Sequence, residues 1–298
     1  MCCLFGIIDY KNSLSAKQMN KVISILSKFC EARGTDATGI SYIHNDNLCI
    51  YKRPLPARKI RYAIPSGVHT VMGHTRMTTQ GNERKNYNNH PFLGKVNDTE
   101  FALAHNGVLR NDTILRRKEK LPFTKIETDS YIAVQLLEKQ NALDLDSLKY
   151  MAEKLEGSFS ITVLDKDSNL YFVKGDNPLC IYHFKNKGIY IYASTEDILK
   201  EALKRIPYNF GISEKINLLC GDILKIDKFG NMSDCEFNTD NLFSYYYPYS
   251  FGFTDFEEEY IKELKYTAKD FGYAPEYIDL LIEEGFTTDD IEEMLYCS

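Results

Sequence analysis

The stretch Cys2-Cys3-Leu4-Phe5-Gly6-Ile7-Ile8 opens the chain as a short apolar run that ends at Asp9. It has no basic residues ahead of it and meets an acid too soon to be a secretory signal. Its length and bounding polar residues predict a buried strand. Ser15 next stands where an N-cap is expected. It precedes a helix predicted over 16–32, with Met19, Val22, Ile23, Leu26, Phe29 and Cys30 on one face. Gly34 and Gly39 end that helix.

Further along, Val68–His74 and Glu100–His105 read as strands separated by the polar segment Thr78–Asn89. The basic stretch Lys52, Arg53, Pro54, Pro56, Arg58, Lys59, Arg61 reads as a solvated loop. Helices are predicted at Glu127–Lys139, Leu145–Leu155 and about 196–204. Strands are predicted at 158–164, 170–174, 179–184, 189–193 and 223–227. Many hairpin-like connections in a mixed order indicate α+β rather than a regular βαβ alternation.

The 298 residues are 44% apolar and 26% charged, the balance of a soluble globular protein with a sizeable core. A formal charge of −6 argues against nucleic acid as a general partner. No run of about 18 apolar residues predicts a membrane span. Eight cysteines without a C-x-x-C pair read as reduced thiols in a cytoplasmic protein. Composition changes near residue 240. Residues 241–298 hold 14 acidic and 3 basic residues, whereas the preceding part holds 28 acidic and 33 basic. The expected organisation is therefore a main domain over 2–240 and an acidic helical extension over 241–298. Its helices are predicted at Asp255–Phe271, from Pro275 to Gly285, and from Thr287 or Thr288 toward Leu295.

Chemistry enters at Cys2. Removal of Met1 would leave Cys2 with a free α-amine, whose reference pKa of about 7.7–8.0 makes it a usable base near neutrality. A base tethered to its own thiol suits covalent amide cleavage. Four polar segments accompany it: Gly73-His74-Thr75-Arg76-Met77-Thr78-Thr79-Gln80-Gly81, Asn88-Asn89-His90-Pro91, Ala104-His105-Asn106-Gly107 and Glu127-Thr128-Asp129. Arg76 can fork two N–H groups onto a carboxylate. Asp129 can pair with an ammonium. The Asn106 amide and Gly107 backbone N–H can form an oxyanion hole. The spacing of His74, His90 and His105 matches no standard zinc pattern, and the three read as hydrogen-bonded loop and strand-end residues.

This ordered set resembles the class II glutamine amidotransferases, over roughly residues 2–228, and most of all their glucosamine-6-phosphate synthase branch. Cys2-x-x-Phe5-Gly6-Ile7, Arg33-Gly34-x-Asp36-x-x-Gly39, Gly73-His74-Thr75-Arg76, His105-Asn106-Gly107 and Glu127-Thr128-Asp129 carry the resemblance. It implies the four-layer αββα sandwich of the N-terminal-nucleophile hydrolases. It implies Cys2 as nucleophile, Asn106 and Gly107 as oxyanion hole, and Arg76 and Asp129 as glutamine clamps. Thr79 and the Gln80 backbone are expected near the substrate. Cys3, Met77 and Gln80 depart from the synthase branch, which has Gly, Trp and His there. No metal and no organic cofactor is implied. The expected activity is glutamine hydrolysis supplying ammonia to a separate synthetase. A free-standing glutaminase, another amide hydrolase of the superfamily, and an inactive binding module are the competing readings.

Overall fold

A computed structural model describes residues 2–242, 272–286 and 288, and positions 261, 264, 265, 268, 269, 291, 294 and 295. It divides into two compact units, Met1–Tyr246 and Tyr247–Ser298.

The first unit is built on two antiparallel sheets. One has the strand order β11-β9-β10-β1-β4-β2-β3. Its strands are β1 (Cys3–Asp9), β2 (Ala37–His44), β3 (Asn47–Arg53), β4 (Thr70–Arg76), β9 (Cys180–Phe184), β10 (Ile189–Ala193) and β11 (Glu214–Ile216). The other runs β13-β12-β8-β7-β6-β5. It is made of β5 (Phe92–Val96), β6 (Thr99–Leu109), β7 (Gly157–Leu164), β8 (Leu170–Lys174), β12 (Asp222–Ile226) and β13 (Met232–Glu236).

The opening run is β1, central in its sheet and buried along its whole length. Side chains alternate across a strand. Cys3, Phe5 and Ile7 therefore face the helices α1 (Ala16–Cys30) and α5 (Glu196–Arg205), in a core with Val22, Ile23, Leu26 and Leu199. Leu4 and Ile8 face the second sheet, meeting Ala102, Ala104, Leu164 and Phe172. Both faces are covered, which explains a continuous apolar run where a half-exposed strand would alternate. A third core joins the outer face of the second sheet to α3 (Tyr131–Gln140) and α4 (Leu145–Lys154), through Leu103, Phe159, Ile161, Ile132, Leu136 and Met151. The layers are thus helix, sheet, sheet, helix: the expected αββα sandwich.

Local chemistry supports the start of α1. Ser15 caps α1 in a reciprocal capping box with Gln18, an arrangement of about 1 kcal/mol. The buried face of α1 contributes about 1.5–3 kcal/mol for each large apolar side chain it removes from water.

Several elements differ from the sequence reading. The hairpin β2–β3 was not anticipated. Neither were β5, β11, β13 and the short helix α2 (Asp112–Lys118). Lys52 and Arg53 end β3 instead of opening a solvated loop. Lys52 Nζ donates to Asn89 O and, at 2.9 Å, to Pro91 O. Burial lowers its pKa to about 8. Strand β6 continues to Leu109, so Asn106-Gly107 lies within a strand and makes no turn. Helix α3 begins at Tyr131, leaving the Glu127-Thr128-Asp129 segment in the approach to it.

In the second unit, helix α6 (Glu276–Glu283) buries Ile278 and Leu281 against Leu264, Ala268, Ile291 and Leu295. Positions 261, 264, 265, 268, 269, 288, 291, 294 and 295 are helical. Most of the predicted helix Asp255–Phe271 lies outside the described residues. The seven cysteines from Cys2 to Cys235 are free thiols. Among the described residues no helix is long and apolar enough to cross a membrane.

Candidate active site

The register of β1 sets the site. Cys3 pairs with Thr75 of β4, so Cys2, one residue earlier, stands beside Arg76 at the end of the sheet. Ala37 of β2 pairs with Arg76 from the other side. Arg33 donates from Nε to the Cys2 carbonyl at 2.9 Å. This gives the Arg33-Gly34-x-Asp36 segment a concrete task. Asp36 N–H donates to Arg76 O at 2.9 Å, and Asp36 Oδ2 accepts from Thr78 N–H at 2.7 Å. Gly34 is required by close approach, because a Cβ there would lie 2.5 Å from the Arg76 carbonyl carbon. One short loop thus fixes the backbone on both sides of Arg76 and the carbonyl of Cys2.

A cleft opens here. It is lined by Cys2, Arg76, Thr79, Gln80, Gly107 and Asp129 from the sequence-derived set, together with Met77 and residues flanking Asp129. Asn106 is the member that does not line it. The Cys2 thiol donates to Met77 O at 3.4 Å. Burial pushes that thiol up, with the nearby Arg76 charge acting in the other direction. The group is therefore held as a thiol at neutral pH and needs a base to become a nucleophile.

Arg76 is buried, and its guanidinium orientation is set by two acceptors: Asn89 Oδ1 at 2.8 Å and Gln80 O at 2.5 Å. A guanidinium has five N–H donors in a fixed fork, so two anchored ones aim the remainder. Asp129 is also buried. Its Oδ2 accepts from Leu109 N–H at 2.6 Å and its Oδ1 from Ser130 Oγ at 3.3 Å. Gln80 ties the two together, because its Oε1 accepts from Asp129 N–H at 2.7 Å while its carbonyl holds Arg76. The departure at position 80 therefore has a structural task of its own. The loop carrying Gln80 is stapled by Glu127, which pairs with Lys85 and accepts from Asn88 Nδ2 at 2.8 Å. The Asn88-Asn89 motif acts through these contacts, with Asn89 orienting Arg76.

Gly107 sits at φ +142, and a Cβ on it would come within 1.9 Å of Ser158 O. Only glycine fits this place on β6. Asn106 projects the other way, into the layer between the sheets, as Ala102 and Ala104 do. It is buried, and its Nδ2 lies 3.4 Å from Ser194 Oγ.

Cys3 is fully enclosed and points into the core beside Cys30, away from the cleft. It does not crowd Cys2. Met77 lies 41% exposed at the cleft wall.

The three histidines form one cluster. His74 Nε2 contacts His105 O at 2.9 Å, and His105 Nδ1 contacts Ser130 Oγ at 2.8 Å. His90 packs 4.1 Å from the His74 ring, and neither of its nitrogens has a hydrogen-bond partner among the described residues. That corrects the expectation that all three are hydrogen-bonded. Burial lowers the pKa of all three, to about 3 for His74. Among the described residues no group of three or more His, Cys, Asp or Glu side chains is placed to hold a metal ion. His90, Thr128 and Ser130 also line the cleft without having been singled out as site residues. Their signal was adjacency to Pro91 and to Asp129.

The chain is similar to several known proteins. A profile described as a glutamine amidotransferase domain matches residues 74–201. The isomerizing glutamine–fructose-6-phosphate aminotransferase of Bacillus licheniformis is 31% identical over 184 residues, 59% of this chain and 30% of that protein. Its counterpart in Bacillus cereus is 27% identical over 241 residues, covering 78% and 35%. The Sulfolobus acidocaldarius counterpart is 30% identical over 194 residues, covering 61% and 31%. The chain thus spans about a third of the length of these relatives. Among solved structures, the glutamine phosphoribosylpyrophosphate amidotransferase of B. subtilis has a TM-score of 0.61 at 20% identity, over 80% of this chain and 49% of that one. An allosteric regulatory enzyme of purine biosynthesis gives 0.64 at 19% identity, over 90% and 58%. These last two share the fold. The profile and the aligned relatives agree on one kind of domain, and with the shared fold they support a class II glutamine amidotransferase.

Proposed function

We propose that the domain over residues 2–240, within the first unit, binds glutamine in the cleft and hydrolyses its side-chain amide, releasing ammonia for a separate synthetase. One observation carries this reading: Cys2, Arg76, Gly107 and Asp129, from four separate segments, line a single cleft. A guanidinium and a carboxylate in one cleft suit the α-carboxylate and α-ammonium of a free amino acid. An amide held by those two clamps would extend toward the thiol.

In the proposed reaction Met1 has been removed. The Cys2 α-amine takes the thiol proton, which burial would otherwise retain. Sulfur bonds to the amide carbon, and the carbonyl oxygen becomes an oxyanion facing Gly107 N–H and the Asn106 amide. The C–N bond then breaks, and the proton held by the amine leaves with ammonia. Water, deprotonated by the same amine, adds to the thioester carbon, the C–S bond breaks, and glutamate departs. Arg33 contributes by fixing the Cys2 carbonyl, and so the direction of the thiol and amine. Thr79 and Gln80 complete the wall around the substrate.

The test is covalent capture. The protein with its native start is treated with 6-diazo-5-oxo-norleucine, and the adduct is located by peptide mass. Labelling at Cys2, blocked by glutamine and lost in Cys2→Ala, is expected. Retained Met1 with no labelling would support an inactive module, and labelling at Cys3 would overturn the choice of nucleophile. Ammonia release by the pure protein that no synthetase stimulates would indicate a free-standing glutaminase.

A further inference from the structure

Ser194 follows β10 at the point where the β1–β10 ladder ends. The last pair of that ladder is Phe5 with Ala193. One step further, Ser194 N–H donates to Leu4 O at 2.9 Å, while Leu4 N–H donates to the Ser194 hydroxyl at 2.8 Å. The side chain replaces a backbone carbonyl as acceptor. Ser194 is fully buried, and the Asn106 amide lies 3.4 Å from its Oγ.

A hydroxyl has one proton to give and two lone pairs. Leu4 N–H occupies one lone pair, so the proton needs an acceptor. The neighbours on offer are the Asn106 amide and the Cys3 sulfur, whose own thiol proton is directed to Leu4 O at 3.4 Å. Sulfur is a weak acceptor and an amide oxygen a good one. The two ends of a carboxamide have the same shape, so the count of donors and acceptors decides which end meets Ser194. With Nδ2 toward Ser194, two donors converge on one oxygen and Asn106 Oδ1 is buried without a partner among the described residues. With the amide turned over, hydroxyl and Oδ1 satisfy each other. The Nδ2 donor then stands where Oδ1 has no donor to meet, one residue before the cleft-lining Gly107. A developing oxyanion is an acceptor that a donor placed there can serve.

We propose that Ser194 is a positioning residue: its Oγ–H donates to Asn106 Oδ1 and so presents Nδ2 to the oxyanion. This rests on the oxyanion role proposed above for Asn106.

The experiment combines kinetics with a spectroscopic readout that does not need turnover. Ser194→Ala, Asn106→Ala and the double variant are compared for kcat and KM in glutamine hydrolysis. The Asn106 side-chain amide resonance, assigned by its loss in Asn106→Ala, is followed in 15N-labelled protein. For Ser194→Ala, kcat should fall roughly tenfold or more with KM unchanged, as for an interaction made only in the transition state. The double variant should be no slower than Asn106→Ala, since Ser194 acts through Asn106. The Asn106 resonance should shift in Ser194→Ala. Multiplying losses, a raised KM, or an unmoved resonance would overturn the proposal. If the wild type turns over no glutamine yet the resonance shifts, the pairing stands and the glutaminase reading falls. Should Ser194→Ala fail to fold, Ser194→Cys, a poorer donor of similar size, is read by the same criteria.

Discussion

At the scale of the residue, the site works by giving side chains two tasks. Asp129 orders the protein through Leu109 N–H and Ser130 Oγ while carrying the negative charge proposed to meet the substrate ammonium. Arg76 is held by Asn89 and Gln80 while its remaining donors stay aimed at the cleft. Such doubling means that charge and shape must be removed separately to be told apart. Asp129→Asn keeps the shape and an amide oxygen for Leu109 N–H, but drops the charge. A hydrogen bond to a charged group contributes about 1.5–3 kcal/mol, so kcat/KM for glutamine should fall roughly 10–100-fold, mostly through KM. Thermal unfolding should shift little. Steady-state kinetics beside a melting curve checks this, and an unchanged KM would remove Asp129 from substrate binding.

At the scale of the element, legibility followed how much each strand or helix says for itself. Strand β1 was readable because both faces are buried, which leaves an unbroken apolar run. Helix α1 was readable from Ser15 and its periodic apolar face. The β2–β3 hairpin was not, because its side chains are of mixed character and its turn is the pair Asn45-Asp46. Both residues adopt positive φ, the chemistry of a tight hairpin. The same is true of Asn97-Asp98 between β5 and β6. The cleft residues were legible as types in order. What could not be read was the fixing of Arg76 by Gln80 and Asn89, since those contacts depend on how a polar loop folds back.

Element packing also sets a pH response. His74 on β4, His90 before β5 and His105 on β6 converge in one buried cluster beside Arg76 and Lys52. Their folded pKa values lie below the ordinary 6.5 because burial disfavours the charged ring. The unfolded chain therefore binds more protons below about pH 6.5. Stability is intact above that value and is lost as pH falls toward the folded values, about 3 for His74. Each such ring can remove up to about 1.4 kcal/mol per pH unit. Urea unfolding at pH 7 and pH 5 should show the loss, and His90→Phe should reduce it. Equal stability of the wild type at both values would refute the neutral cluster.

At the scale of the whole molecule, the two units each carry their own core. The three large clusters of the sandwich involve residues between Cys3 and Leu242, and among the described residues the fourth involves those between Ile261 and Leu295. The proposed site residues all fall within the first unit. A unit with its own core can fold alone, and the proposed site lies within it. A chain ending at Tyr246 should therefore give the same denaturation midpoint for the sandwich as the full chain. Its kcat and KM for glutamine in the absence of other proteins should also be unchanged. The acidic extension is then free to act in docking. With 14 acidic and 3 basic residues over 241–298, it suits attraction to a basic surface, and such attraction weakens with salt. Stimulation of glutamine hydrolysis by an ammonia-accepting synthetase should thus be lost in the shortened chain and salt-sensitive in the full one. Basal hydrolysis should be the same in both. If the shortened chain loses basal activity instead, the extension belongs to the catalytic unit and the division at residue 246 is functionally wrong.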